Sequence, residues 1–397
     1  MRPVSVFFVS LLVIVAAIGV VPLGAATPDD LSIESADRSA DSVSPSTDPT
    51  VQTDDRDAAF PITLTDATGT EITLEERPER VTTTNPSAAQ VMWELDAQGQ
   101  VVGLTEFAHY LDGAETRENV SSTEQGVSIE RVVGTDPELV LAPNATSVET
   151  VEQLRETGLT VYHFPRATDF DDVADKTLTI GQLTGNVQPA HETNSWVTAN
   201  VESAAAATAE VERPRLLYPL LGGFAVGGET FIHEIIVASG AENVASEEFD
   251  GFEVLSDEVV LTLDPEVLLV TDQTEGQVMS TEPYSLTTAG EANRSVTLEV
   301  NYINQAGPRS VVYSTRNLTA QLHPEQYDES NHITRRAIAD GDYTPDDSEN
   351  QMGDDGGADA ETAETNGEDE TNVPALGVGI VVAAVVLIGG GLLMRRR

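Results

Sequence analysis

Two glutamates occupy the same place in a stretch of sequence that occurs twice. The first copy reads IERVVGTDPELVLA over Ile129–Ala142, and the second reads DEVVLTLDPEVLLV over Asp257–Val270. In each copy the glutamate, Glu130 or Glu258, stands six residues before an Asp-Pro-Glu, and the offset from 130 to 258 is 128 residues. Each copy predicts a short helix that exposes an acid, then a proline-bearing turn and a buried strand. The repetition predicts two similar lobes.

Several patterns that would carry catalysis or metal binding are incomplete. His233-Glu234 begins like a zinc-protease helix, but Val237 stands where the second histidine would be needed. The glycine-rich run at 222–228 lacks the P-loop lysine and the dinucleotide spacing, so it predicts a flexible turn. The chain has no cysteine, which excludes thiol catalysis and thiolate zinc sites. No nucleophile with a partnered base is found, so no catalytic residue is assigned and the chain is not expected to be an enzyme.

Alternating strand and helix signals predict an α/β fold of two Rossmann-like lobes with parallel sheets, joined by a long helix. The first lobe is expected over 58–180, the joining helix, or two helices, over 181–212, and the second lobe over 213–336. In the first lobe, Thr68-Gly69 predicts a hairpin turn and Ser87 the N-cap of a helix. Val101–Leu104 and Leu139–Ala142 predict strands.

The two ends of the chain have compositions unlike those of the lobes. Residues 1–26 predict a signal peptide, and 27–57 a disordered spacer. Residues 337–372 predict an acidic disordered tether, and 373–394 form an uncharged apolar segment long enough to cross a membrane. Three arginines at 395–397 predict a cytoplasmic end. Both lobes are therefore expected on the extracellular face of the cell membrane, anchored at the C terminus.

The charge balance is strongly acidic. The formal net charge is −47, and Lys176 is the only lysine among 20 cationic residues. The excess of acids and the near absence of lysine resemble the composition of proteins from halophilic archaea. Molar salt would screen the mutual repulsion of such a surface. Nucleic acid is not an expected partner, because its phosphates would be repelled.

Several phrases resemble one known family. They are NPSAAQVMWEL, VVGLTEF, IERVVGTDPELVLAPN and TFIHEIIVASGAENVA, and the resemblance covers about Arg80–Pro324. These phrases resemble the solute-binding proteins of ABC importers for iron-siderophores and cobalamin. The resemblance implies a rigid receptor without a cofactor of its own, whose partners are an ABC permease and its ATPase. It also implies that a metal chelate, cobalamin or an Fe³⁺-siderophore, binds between the lobes.

In that family one exposed glutamate per lobe pairs with permease arginines, and Glu130 and Glu258 match these positions. A receptor of two similar lobes on a dimeric permease needs one acid at the same place on each lobe. The alternative is that each is simply one of 67 solvated acidic residues. Identical spacing in both copies favours docking.

Candidate ligand contacts follow the predicted strands, where loops would face the cleft. They are Pro86, Ser87, Trp93, Phe107, Tyr110 and Asn144 in the first lobe, and Phe224, Thr230, Phe231, His233, Tyr302, Gln305 and Arg309 in the second. Aromatic faces and amides suit a large, weakly charged ligand, whereas an anionic siderophore would need several convergent arginines. Only Arg309 and Arg166 are placed for that, so cobalamin is favoured and a ferric siderophore comes next. Trp93 is also the strongest candidate for a core residue.

Other interpretations stay open at this point. A cell-surface structural or adhesive protein of the same fold would lack transport, and a direct metal-ion receptor would rest on His109 with His233. Four sequons for N-glycosylation begin at Asn119, Asn144, Asn293 and Asn317. The tail from Pro374 resembles the sorting signal of haloarchaeal surface proteins, which is replaced by a lipid. A retained transmembrane helix is the alternative.

Overall fold

The computed structural model describes residues 60–122, 126–341 and 343. The predicted signal peptide, the spacer, the apolar segment at 373–394 and most of the acidic tether lie outside these residues. Within them, no helix combines the length and the apolar character needed to cross a membrane.

The first lobe contains a hairpin and a five-stranded parallel sheet. Its strands are β1 (Ile62–Thr65), β2 (Glu71–Leu74), β3 (Val81–Thr83), β4 (Val101–Leu104), β5 (Glu118–Asn119), β6 (Leu139–Ala142) and β7 (Val161–His163). Its helices are α1 (Pro86–Glu94), α2 (Ile129–Gly134) and α3 (Val148–Glu156). β1 and β2 pair antiparallel, and the others form a parallel sheet in the order β5-β4-β3-β6-β7. The predicted hairpin turn is confirmed, with Gly69 at a φ of 78° that favours glycine.

Two helices follow the first sheet. They are α4 (Phe170–Thr184) and α5 (Val187–Ala207), separated at Gly185, which has a φ of 69°. The predicted start of the joining helix at 181 therefore falls inside α4, and the joining segment is two helices. The reason is local, since a left-handed residue at this C-cap ends α4.

The second lobe repeats the plan of the first. Its strands are β8 (Arg215–Leu217), β9 (Phe224–Val226), β10 (Glu242–Asn243), β11 (Phe252–Val254), β12 (Val267–Thr271) and β13 (Ser295–Leu298). Its helices are α6 (Phe231–Ala238), α7 (Asp257–Leu263), α8 (Glu275–Ser280), α9 (Thr288–Glu291), α10 (Val300–Ile303), α11 (Pro308–Leu322) and α12 (Arg335–Ala339). The parallel sheet has the order β10-β8-β12-β13, which corresponds to β4-β3-β6-β7 of the first lobe. The α/β fold with parallel sheets is confirmed.

Two local predictions are wrong. Asn85, not Ser87, is the N-cap of α1, because its side chain accepts a hydrogen bond from the Ser87 amide and Pro86 occupies the first helical turn. The glycine-rich run at 222–228 is not only a turn, since it contains β9. That strand pairs antiparallel with β11, so a partner far along the chain determines its structure.

The cores of both lobes include residues from α4 and α5. Ile180 of α4 and Ala190 of α5 pack in the core of the first lobe. Val173 of α4 and Trp196 of α5 pack in the core that covers the second sheet. The two helices therefore belong to both hydrophobic cores, which couples the lobes more tightly than a flexible linker would.

Candidate functional site

The Asp-Pro-Glu of each repeat copy anchors the first strand of its sheet. Glu138 Oε2 accepts hydrogen bonds from the amides of Glu79 (2.5 Å) and Arg80 (3.1 Å), just before β3. In the second lobe Glu266 Oε2 accepts one from the amide of Arg215 (3.0 Å), where β8 begins. The glutamate of each Asp-Pro-Glu therefore stabilises the start of the first parallel strand of its lobe. The two lobes share this hydrogen bond as well as the sequence pattern.

The earlier glutamate of each copy has a different environment. Glu130 on α2 and Glu258 on α7 are exposed, and each lies in the first turn of a helix capped by a serine, Ser128 or Ser256. Among the described residues, neither carboxylate has an ion-pair or hydrogen-bond partner. Because α2 and α7 precede the corresponding strands β6 and β12, the two acids hold equivalent places in the two lobes. Both carboxylates are therefore available to a partner, and their docking role stays a prediction.

Three of the candidate ligand contacts are exposed on loops or edges. Phe107 follows β4 and is 41% exposed, Asn144 follows β6, and Phe224 begins β9 and is 38% exposed. Phe224 pairs with Val254 across the β9–β11 ribbon, and Val254 is 58% exposed. Leu221 is also exposed beside this ribbon. Phe224, Val254 and Leu221 therefore form an exposed apolar edge on the β9–β11 ribbon, and Phe107 and Asn144 are exposed after strands of the first sheet.

Val254 and Leu221 are exposed apolar residues that are not among the candidate contacts taken from the sequence. Val254 pairs with Phe224 because β9 and β11 are neighbours in the fold, although they are far apart in the sequence. Neither Val254 nor Leu221 stands directly after a predicted strand. No local signal distinguishes them, since each has an apolar neighbour in sequence, Leu220 or Leu255.

Tyrosines from the two lobes meet at the lobe junction. Tyr110 and Tyr302 are edge-to-face with ring centroids 5.7 Å apart, and Tyr302 contacts Tyr313 at 5.2 Å. Gln90 Nε2 donates to the Tyr110 hydroxyl (2.8 Å) and also to Ser310 Oγ of the second lobe (3.0 Å). Burial raises the pKa of Tyr110 well above its ordinary value, so this phenol is neutral. The structure thus brings the predicted contacts Tyr110 and Tyr302 together; Gln305 is half-buried a few residues beyond Tyr302.

Several other candidates are buried, and their polar atoms have partners within the protein. Trp93 packs in the first core and its Nε1 donates to the Asp112 carbonyl (2.8 Å). Thr230 caps α6 by accepting from the His233 amide (3.0 Å), and His233 Nδ1 lies 3.3 Å from Asn243 Nδ2. Pro86, Ser87 and Phe231 are also buried. The internal contacts of these residues stabilise the surrounding structure. Their role in ligand binding stays a prediction.

Arg309 forms a salt bridge that links the lobes. Its Nε donates to Glu94 Oε1 (2.5 Å), and Arg335 donates to the other oxygen of the same carboxylate. The Glu94 side chain is only 4% exposed, on α1 of the first lobe, whereas Arg309 is on α11 of the second. Because Arg309 is held in a hydrogen-bonded ion pair with Glu94, its guanidinium is already engaged within the protein. Arg166, the other arginine considered, is exposed beyond β7.

Lys176 is a buried cation at the same junction. Its Nζ on α4 donates to the Ala306 carbonyl and lies 3.4 Å from Ser87 Oγ. Burial lowers the pKa of this amine from 10.5 to about 7. Lys176 therefore contacts both lobes and is partly uncharged near neutral pH.

We expect Lys176 to make stability depend on pH. Between pH 7 and 10.5 the unfolded chain binds more protons than the folded chain, so the free energy of unfolding should rise with pH. The slope contributed by one such group is at most about 1.4 kcal/mol per pH unit. In K176M this contribution disappears. Urea unfolding of both proteins at pH 7, 8 and 9 in constant KCl measures it, and equal slopes would contradict the assignment.

The described part of the chain contains no cluster of three or more metal-ligating side chains. His109 is exposed after a short 3₁₀ segment, Glu106–Ala108, whereas His233 is half-buried against Asn243. Of the four sequons, Asn144, Asn293 and Asn317 are exposed, and Asn119 is half-buried with its Oδ1 accepting from the Ser121 amide. Glycosylation stays a prediction.

Comparisons with known proteins agree on one family. A family model described as periplasmic binding protein matches residues 81–302. A cobalamin-binding protein of Halobacterium salinarum is 41% identical over 271 residues, which cover 65% of this chain and 73% of that protein. A vitamin B12-binding protein of Yersinia pestis is 23% identical over 247 residues, covering 62% of this chain and 86% of that protein.

Solved structures share the fold. The periplasmic heme-binding protein RhuT of Roseiflexus sp., in its apo form, has a TM-score of 0.56 and 24% identity. The match covers 61% of this chain and 98% of that one. At this identity the likeness concerns the two-lobed architecture alone.

Proposed function

The chain belongs to the periplasmic binding protein family, and from that premise we propose that it is the extracellular receptor of an ABC importer that binds cobalamin. It delivers the ligand to a permease and its ATPase, and it performs no catalysis itself. The observation that carries the proposal is the 41% identity to a relative named as a cobalamin-binding protein. The predicted division into lobes, spacer and tether, with an anchor at the C terminus, is part of the same proposal.

The surface of the proposed cleft supports a large and weakly charged ligand. Phe107 and Phe224 offer exposed aromatic faces from different lobes, and Asn144 offers an amide. Arg309 is held by Glu94 within the protein, so of the two arginines considered from sequence only Arg166 is free of such an ion pair among the described residues. Cobalamin, with amide side chains around a corrin ring, fits this chemistry better than a catecholate chelate does.

Calorimetry with the full chain in molar KCl tests the ligand. Cyanocobalamin should give saturable heat at one ligand per chain, whereas a ferric catecholate siderophore and hemin should give much less. If the siderophore or hemin gave saturable heat and cyanocobalamin gave none, the choice of cobalamin would be wrong. A folded chain that binds none of the three chelates would contradict the receptor role.

The two exposed phenylalanines should carry much of the affinity. An aromatic face stacked on a large ligand contributes about 0.5–1.5 kcal/mol, so the loss of two in F107A/F224A should weaken cyanocobalamin binding by about 5- to 150-fold. L286A is the matched control, because Leu286 is an exposed apolar residue that does not follow a strand of either parallel sheet. Its affinity should equal that of the wild type. An unchanged affinity in the double variant would place the ligand elsewhere.

A further inference from the structure

A cavity of about 570 Å³ lies at the lobe junction, lined by the end of α1, by α5 and α11, and by residues 329–335. Glu94 ends α1, and Pro86 begins it soon after β3. At 1.5 Å per residue the cavity is therefore about 12 Å along the helix from the loop that follows the strand. Of the candidate ligand contacts, Arg309 is the only one that lines it. The cavity is thus a different site from the proposed ligand cleft.

Arginines dominate the lining of this cavity. Arg309, Arg316 and Arg335 line it together with two carboxylates, Glu94 and Glu329. Glu94 pairs with both Arg309 and Arg335, whereas Glu329 is exposed to solvent. The whole chain has only 20 lysines and arginines against 67 acidic residues, so three guanidinium groups in one cavity differ from the rest of the surface. The cavity therefore carries an excess of positive charge.

Arg316 has no carboxylate partner in the described part of the chain. It is half-buried on α11, its Nε donates to Asn200 Oδ1 (2.9 Å), and its Nη2 donates to the Ile333 carbonyl (2.7 Å). These partners are neutral, and the Tyr327 phenol beside the guanidinium is neutral too, because burial raises its pKa. Burial lowers the pKa of Arg316 from its ordinary value, since a partly desolvated cation lacks the compensation that a carboxylate would give. An anion bound in the cavity would supply that compensation.

The aromatic ring of Trp196 holds two of these guanidinium groups in place. Cζ of Arg335 lies 4.3 Å from the ring centroid, and Cζ of Arg316 lies 5.9 Å from it. Trp196 Nε1 donates to the Ile333 carbonyl (3.0 Å), which fixes the ring itself. Burial, together with the charge of Arg316, lowers the pKa of His332, so this imidazole is neutral near pH 7. The guanidinium groups are thus in position before any ligand binds, which reduces the entropy cost of binding.

We propose that this cavity binds a small oxyanion, such as sulfate, phosphate or the carboxylate of an organic acid, with Arg316 as its main counter-ion. A planar guanidinium presents N–H donors in pairs that match two oxygens of such a group, and these charge-assisted hydrogen bonds are among the strong ones in proteins. The bound anion offsets the excess positive charge between α5, α11 and residues 329–335. It is a second ligand of the chain, and its binding does not depend on the proposed cobalamin role.

Equilibrium dialysis of the full chain against radiolabelled sulfate in constant molar KCl tests the proposal. The wild type should bind one sulfate per chain in a saturable way. R316M keeps the apolar stem of the side chain and removes the guanidinium, so sulfate binding should weaken at least about tenfold, as expected for the loss of hydrogen bonds to a charged group. R213M is the matched control, because Arg213 is an exposed arginine outside the cavity, and its affinity should equal that of the wild type.

R316K covers the case in which R316M does not fold. Lysine keeps the charge but not the paired donors, so R316K should bind sulfate about three- to tenfold more weakly than the wild type. Far-UV circular dichroism in the same KCl verifies the fold of each variant. Labelled phosphate and citrate, dialysed in the same way, distinguish a tetrahedral oxyanion from a carboxylate.

Three results would overturn the proposal. The first is the absence of saturable binding of sulfate, phosphate and citrate to the folded wild type. The second is an affinity in folded R316M or R316K equal to that of the wild type, since the anion would then lie elsewhere. The third is an equal loss in R213M, because the effect would then follow from the net charge of the chain rather than from this cavity.

Discussion

Reversing both repeat glutamates, in E130R/E258R, should abolish uptake of cobalamin and leave the affinity for cobalamin unchanged. Both carboxylates are exposed and have no partner within the described residues, so their replacement removes no internal contact. On the permease side, an attraction between opposite charges becomes a repulsion between two cations at each contact. Uptake should fall by at least about 100-fold, because two sites each lose more than about 1.4 kcal/mol.

The matched control is E152R/E325R, which makes the same change of charge at two exposed acids outside the repeat. This variant should transport at a nearly normal rate, since neither side chain lies on α2 or α7. The experiment combines cellular uptake with calorimetry on the purified chains. Normal uptake by E130R/E258R would show that these two acids are simply part of the solvated acidic surface, which is the alternative to docking.

Removing the buried carboxylate of Glu94 should have the largest effect on stability. In E94A, Arg309 and Arg335 lose their common partner, and two guanidinium groups at the lobe junction remain uncompensated. Breaking a buried ion pair from one side costs about 3–5 kcal/mol, and the partial exposure of both arginines reduces this to about 2–4 kcal/mol. The free energy of unfolding, from urea denaturation in constant KCl, should fall by that amount.

E192A provides the comparison, because Glu192 is an exposed acid on α5 whose side chain, within the described residues, accepts a hydrogen bond only from Gln188. Its free energy of unfolding should differ from the wild type by less than about 0.5 kcal/mol. A further substitution of both arginines, in E94A/R309M/R335M, should recover part of the loss by removing the unpaired charges. A loss below 1 kcal/mol in E94A would mean that the junction depends mainly on other contacts.

The strands of the duplicated segment were the part of the fold that could best be predicted from the sequence. Its apolar runs match β6 and β12, because strands buried on both faces need unbroken apolar sequence. The hairpin at Gly69 was equally readable, since its turn chemistry is local. The N-cap of α1 was misassigned although a local signal existed. Pro86 favours the first helical position, which makes Asn85 the cap.

The polar contacts at the lobe junction could not be predicted from the sequence. Glu94 meets Arg309 and Arg335 across 215 and 241 residues, and nothing local in the sequence selects these partners from so many charged residues. The same holds for Lys176, whose contacts to Ser87 and Ala306 join three distant segments. Buried polar partners depend on tertiary packing, whereas strands and turns depend on neighbouring residues.

The helices α4 and α5 restrict how this receptor could have evolved after its duplication. Each lobe's core is completed by residues of these helices, Ile180 and Ala190 on one side and Val173 and Trp196 on the other. Recombination that exchanged a single lobe between relatives would leave one core with foreign helix surfaces. New ligand preferences are therefore expected to arise through substitutions in the loops after the strands, while the two halves are inherited together.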